Sequence, residues 1–162
     1  MIRPARAEDI PHLHRLLGQV ELIHHEGRPD IFKGPDPDGS PRRKYSDDEL
    51  ALILKDESTP VFVYDTGGYV VGYAFTAFKQ VKDDNILVDS KTLYIDDICI
   101  DETARGAGVG RALYEYAEEF ARKNGCCRVE LRVWTMNEPA LSFYQKMGMK
   151  PLYIYMEKQL RE

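Results

Sequence analysis

Apolar and polar positions along the chain switch between two periods, and each switch marks an element. In "EDIPHLHRLLGQVELI", Ile10, Leu13, Leu16, Leu17 and Val20 recur at helical spacing, with Asp9 placed as the expected N-cap. His12 and His14 fall off that stripe and read as solvated surface residues. "SDDELALILKDE" opens with a capping box, Ser46 to Glu49, and continues with Leu50, Ile53 and Leu54 on one face. "PVFVYD", the break "TGG" and "YVVGYAFTAF" predict a hairpin, and "KTLYIDDICID" predicts a mostly apolar, central strand. "RALYEYAEEFARKNG" is a strong helix lined by Val109, Leu113, Tyr116, Ala117 and Phe120, stopping at Asn124-Gly125. "CRVELRVW" alternates as a strand. "NEPALSFYQKMG" starts a shorter helix with Pro139 in its first turn and Gly148 past its end, and "KPLYIYMEK" reads as a last strand. The order is an early strand, two helices, an antiparallel meander, then strand–helix pairs: an α+β or mixed α/β domain.

At 162 residues the chain is expected to form a single domain over 1–162, with no internal repeat or interdomain linker. The formal charge of −5 argues against nucleic acid as a partner and leans slightly towards a cationic one. Cys99, Cys126 and Cys127 make an odd count without a C-x-x-C pair, which fits a reducing, cytoplasmic setting. "MIRPARAEDIPHL" has no apolar signal core, and no run approaches the roughly 18 apolar residues of a membrane span, so no membrane partner is expected. His24 and His25 lack further ligands at metal spacing, so no metal is expected either. They open "HHEGRPDIFKGPDPDGSPRRK", too long for an ordinary connection: either a flexible excursion or a wall of a binding site.

The chemistry concentrates in "RGAGVG", Arg105 to Gly110, between an apolar strand and a helix. A helix start leaves N–H groups without intrahelical partners at the positive end of the dipole, so an anion belongs there. Glycine permits close backbone approach, and arginine suits phosphate. The spacing is neither G-x-x-x-x-G-K-[ST] nor G-x-G-x-x-G, which removes the common nucleotide grammars.

R-x-x-G-x-G does fit, and with "LYIDDICIDETARGAGVGRAL" and "NEPALSFYQKMGM" around it the chain resembles the GNAT superfamily of N-acetyltransferases. Within it, the pattern looks most like the polyamine-type or small-amine enzymes. The resemblance implies a twisted, mostly antiparallel central sheet flanked by helices and splayed between the fourth and fifth strands. It also implies acetyl-CoA as cofactor, with coenzyme A as product, and direct transfer to an amine in a ternary complex.

By that resemblance, the phosphates lie against Arg105, Gly106, Ala107, Gly108, Val109 and Gly110. Pantetheine pairs along Ile98, Cys99 and Ile100, with Asn137, Ala140 and Tyr144 also at the cofactor. Arg111 is either a further phosphate contact or a solvated helix charge. Asn137 is a pantetheine contact, an N-cap, or both. Asp96, nine residues before Arg105, takes the position of the usual base. An exposed strand acid is the plain alternative, and Asp97 is a second candidate for base or amine anchor. In a regular strand the two would face opposite sides. Tyr144 corresponds to the proton donor near the sulfur, or else is an ordinary amphipathic tyrosine. Cys99 reads as a core hydrophobe rather than a nucleophile.

The acceptor side falls to residues 22–45, where Glu21, Glu26 and Asp30 would attract a cation while Arg28, Lys33, Arg42, Arg43 and Lys44 would repel it or grip a carboxylate. A polyamine, an amino acid, an antibiotic or a peptide amine all remain open. So does a non-catalytic acyl-CoA sensor. A homodimer is the default partner arrangement from the family.

Overall fold

Five strands in the order β1-β2-β3-β4-β5 build one sheet. In this computed structural model, which describes residues 1–161, β1 (Ile2–Pro4), β2 (Val61–Asp65), β3 (Val70–Val81) and β4 (Ser90–Ile100) pair in that order, each antiparallel to the next. β5 (Arg128–Leu131) lies parallel to β4. The helices are α1 (Ile10–Gly27), α2 (Asp47–Lys55), α3 (Val109–Lys123) and α4 (Glu138–Lys146). The sheet, α1, α2 and α3 belong to one unit, Met1–Arg132, and α4 to a second that begins at Val133.

The mixed fold follows from period. Val61 and Val63 face one side of β2, and Phe62 the other. The first side packs with Tyr73 and Phe75 against Leu13, Leu16 and Leu17 of α1 and Leu50 of α2. The second packs Phe62, Val71 and Ala74 against Val109 and Leu113 of α3, with Tyr116 and Phe120 edge-on to the Phe62 ring. Leu13, Leu16, Leu50 and Leu113 are wholly buried, each stabilising the fold by roughly 1.5–3 kcal/mol. Gly72 lets α3 come this close: a Cβ there would lie 3.0 Å from both Ile100 Cδ1 and Leu113 Cδ1.

Several expectations need correction. α1 runs to Gly27, past the expected end at Ile23, because its last turns find partners: the His24 ring stacks on Phe32 at 4.8 Å and His25 Nδ1 lies 2.8 Å from the Phe32 carbonyl. Asp9 is the N-cap residue of α1 as expected, but its side chain makes no capping bond. A 3-10 turn at Ala7–Asp9 precedes the helix, and the carboxylate instead accepts from the Arg6 N–H at 2.8 Å and from both terminal nitrogens of Arg3. His12 and His14 are half-buried rather than solvated: His12 meets Tyr69 edge-on, and His14 Nε2 lies 2.6 Å from Asp47 Oδ1.

The excursion after Gly27 has no helix or strand before α2, yet it is pinned to α1. Pro41 packs on Gly18, and Arg42 donates to the Gly34 carbonyl at 3.0 Å and pairs with Asp36 at 3.1 Å. The expected strand over 127–134 is confined to Arg128–Leu131. The closing strand over 150–158 does not form: those residues carry no regular secondary structure. A β-forming pattern becomes a strand only through ladder bonds to a partner, which local sequence does not supply.

Candidate active site and cofactor loop

The end of β4 and the turn after it are held from several sides. Asp101 N–H donates to the Val71 carbonyl at 2.9 Å, and its carboxylate accepts from Thr103 N–H at 3.0 Å and Thr103 Oγ1 at 2.8 Å. Its other oxygen pairs with Arg15 of α1, whose guanidinium also donates to the Val70 carbonyl at 2.8 Å. Burial works against the Asp101 carboxylate, but the Thr103 and Arg15 contacts prevail and hold its pKa at about 2. The 3-10 turn Glu102–Ala104 is thereby fixed just ahead of Arg105, which is exposed and reaches back to the Ile100 carbonyl at 3.4 Å.

Gly106 and Gly108 have φ of 81° and 80°, the left-handed region where a side chain is strained. A Cβ at either would meet no atom within 4 Å, so backbone conformation rather than packing requires glycine. Gly108 caps α3 without a side-chain bond, no acid sits in the first turn, and the first helical bond runs from Ala112 N–H to the Gly108 carbonyl. The N–H groups of Val109, Gly110 and Arg111 therefore lie at the open, positive end of the helix. These residues fit a polyphosphate. Arg111 lies 3.9 Å from Glu115 on the exposed face, as a solvated helix charge would.

Upstream, β4 carries a bulge. Phe75 pairs with Asp97 and Thr76 with Ile95, leaving Asp96 as the extra residue. The β4–β5 ladder also stops here, at Ile95 opposite Leu131. Beyond it, β4 from Asp97 to Ile100 is laddered to β3 alone, which leaves a strand edge between the acid pair and the glycine loop. The sheet is thus split between the fourth and fifth strands, as expected.

The bulge removes the regular strand on which the two acids were expected to face opposite sides. Lys44 Nζ lies 3.6 Å from Asp96 Oδ2, and its charge is also felt at Asp97. Asp96 is exposed, whereas Asp97 is half-buried beside the wholly buried Tyr73, whose hydroxyl donates to Asp97 Oδ2 at 2.6 Å. Burial pushes the Asp97 carboxyl up to about 6; the Tyr73 bond and Lys44 pull against this, while Asp96 and Glu21 add to it. Glu21 is thus the α1 acid felt at this pair, whereas Glu26 is exposed near the end of the helix. Cys99 is buried with its thiol pushed up to about 12, chiefly by burial, and its Sγ–H faces the Leu16 carbonyl at 3.5 Å. Such a thiol is a core group, not a nucleophile.

In the second unit, Asn137 caps α4: its side-chain oxygen accepts from Ala140 N–H at 3.3 Å. Tyr144 lies in the last turn, its ring 5.2 Å from that of Phe143. The roles of Tyr73 and Lys44 at the acids were missed at the sequence level, where Tyr73 is part of the apolar pattern of a strand and Lys44 a loop charge that would repel a cationic acceptor or grip a carboxylate. Only the pairing register and the return of the excursion bring them to the acids. No group of three or more His, Cys, Asp or Glu that could hold a metal ion occurs among the described residues, and no helix among them is long and apolar enough to cross a membrane.

The pattern described as "Acetyltransferase (GNAT) family" matches residues 23–149. The chain is 28% identical over 156 residues to thialysine N-epsilon-acetyltransferase of Bos taurus, covering 94% of this chain and 85% of that protein. It is 39% identical over 104 residues to streptothricin acetyltransferase of Streptomyces lavendulae, covering 64% of this chain and 51% of that protein. The crystal structure of a mutant form of protein BH1408 from Bacillus halodurans superposes with a TM-score of 0.91 at 29% identity, over 99% of both chains. The matches span 50% and 51% of two of the curated relatives, so the chain corresponds to about half of their length.

Proposed function

Because the chain belongs to the acetyltransferase (GNAT) family, we propose that it is an acetyl-CoA-dependent N-acetyltransferase whose acceptor is a small amine or a peptide amine. One observation carries the reading: the β4 edge left open beyond Ile95 has a carboxylate pair at one end and an uncapped helix start behind two left-handed glycines at the other. The N-epsilon-acetylation in the name of the thialysine enzyme accords with an amine acceptor.

Acetyl-CoA, when bound, supplies an acetyl group activated as a thioester. Arg105 and the N–H groups of Val109 and Gly110 hold the pyrophosphate, and Gly106, Ala107 and Gly108 let the backbone come close to it. The backbone of Ile98, Cys99 and Ile100 offers the free strand edge to the pantetheine arm. We assign Asn137 and Ala140 to the same arm from the family motif alone.

An alkyl ammonium titrates near ~10 and must lose a proton before it can attack. Asp97 takes that proton. Burial raises its affinity for protons towards neutral pH, where a base works best. Asp96, at the exposed end of the bulge, draws the ammonium in. Tyr144 serves as the proton donor to the departing thiolate, again from the motif.

Titration with coenzyme A tests the first half of this reading. The expected result is binding at one site per chain that weakens in Arg105→Ala; no binding by the folded protein overturns it.

A further inference from the structure

Asp96, beside Asp97 in the sequence, already faces an amine, and it is the protein's own. Lys44 Nζ lies 3.6 Å from Asp96 Oδ2, and Lys44 is held over the Tyr45 ring at 5.4 Å. Its surroundings are those described for the acceptor: Asp96 and Asp97 from β4, Glu21 from α1, and the Tyr45 ring beside it. Burial disfavours the charge on Lys44, but these neighbours outweigh it and raise its pKa above the ordinary lysine value. The side chain is also one-third exposed, so the amine is both held at the acids and accessible. The segment that carries it leads directly into the capping box of α2, and the Ser46–Glu49 bonds of 2.7 and 3.1 Å fix its downstream end.

We propose that Lys44 is an internal acceptor, acetylated by the protein on its own side chain when no other amine occupies the site. This rests on the N-acetyltransferase reading above and on acetyl-CoA as the donor. The Lys44 ammonium gives up one proton to Asp97, which passes it to solvent. The nitrogen lone pair forms a bond to the thioester carbonyl carbon, and the C–S bond breaks with its electron pair staying on sulfur. The second proton lost by nitrogen ends on the thiolate. The products are Nε-acetyl-Lys44, coenzyme A and one proton. The neutral amide no longer pairs with Asp96, so acetylation leaves both carboxylates to an incoming cationic amine. The internal amine and a free acceptor therefore compete for one place.

The test is peptide mapping after incubating the protein with acetyl-CoA and no added amine. Trypsin does not cut after acetyl-lysine, so modification converts the peptide starting at Tyr45 into Lys44–Lys55 carrying one acetyl group. The expected result is acetylation of Lys44 ~10-fold or more faster than of the exposed Lys82, the advantage of a held nucleophile. The fractional rate should not depend on protein concentration, and the adduct should be lost in Asp97→Asn. Thiol release to an amine panel, with Lys44 still unmodified in the amine-free incubation, overturns self-acetylation alone. So does modification of Lys44 no faster than Lys82, or at a fractional rate that rises with protein concentration. The absence of both thiol release and coenzyme A binding overturns the N-acetyltransferase reading itself, and self-acetylation with it.

Discussion

The hydroxyl of Tyr73, wholly buried in β3, donates a 2.6 Å hydrogen bond to Asp97 of β4. It stabilises the ionised carboxylate against the burial that pushes its pKa up to about 6. A base must be ionised to accept a proton, so kcat/KM should rise with pH through about 6. Tyr73→Phe removes a donor to the charged form and should move this acid limb to higher pH. A limb that stays in place in the mutant would show that Asp97 is not the titrating base.

The same burial makes Asp97 costly to the fold. Each tenfold change in proton affinity is about 1.4 kcal/mol. A carboxyl held at about 6 instead of 3.8 costs the folded state on the order of 3 kcal/mol once ionised. The sign follows from proton counts: between the two values the folded state binds more protons, so stability falls as pH rises through that window. Asp97→Asn should therefore raise the melting temperature at neutral pH, give no gain below about pH 4, and abolish turnover. Chemical denaturation at both pH values checks this.

Gly108 enters α3 with φ of 80°. Gly108→Ala meets no steric obstacle, so its cost is the left-handed conformation itself, about 1–2 kcal/mol. Relaxation of that strain re-aims the first N–H groups of α3. The expected outcome is a weaker coenzyme A Kd with a modest loss of stability, read by calorimetry and thermal melts on the same sample.

Arg15 and Asp101 tie α1 to the turn that precedes the loop. Because the folded pKa of Asp101 is depressed to about 2, its contribution is present above the ordinary carboxylate range and is lost as pH falls towards 2. Arg15→Met leaves the Asp101 carboxylate without its cation and should cost about 1.5–3 kcal/mol at neutral pH. That penalty should shrink in acid, which a pH series of unfolding curves would show.

Tyr144→Phe keeps the ring and removes the proton. If Tyr144 protonates the departing thiolate, turnover should fall roughly 10²-fold or more with little change in coenzyme A affinity.

Much of this was legible in the chain because it depends on local pattern. The stripe from Leu13 to Leu17 predicts the buried face of α1, the Ser46–Glu49 box predicts the start of α2, and Arg105–Gly110 predicts the open helix start. What stayed hidden depends on register and partners. A one-residue bulge falls at Asp96, which meets Lys44, and no periodicity in "YIDDICI" announces it. Tyr73 finds Asp97 from 24 residues away, and Lys44 arrives through a return path built by His24, His25, Pro41 and Arg42. The strand-like pattern over 150–158 misled for the opposite reason: it states a propensity without naming a ladder partner.

The most direct test is thiol release from acetyl-CoA across a panel of diamines, amino acids, aminoglycosides and peptide amines, comparing the wild-type protein with Asp97→Asn. The expected result is amine-dependent release by the wild type, stoichiometric with N-acetylated product and lost in the mutant. Tight coenzyme A binding with no amine-dependent release, or equal release by Asp97→Asn, would contradict the assignment of this carboxylate pair as the site of acetyl transfer.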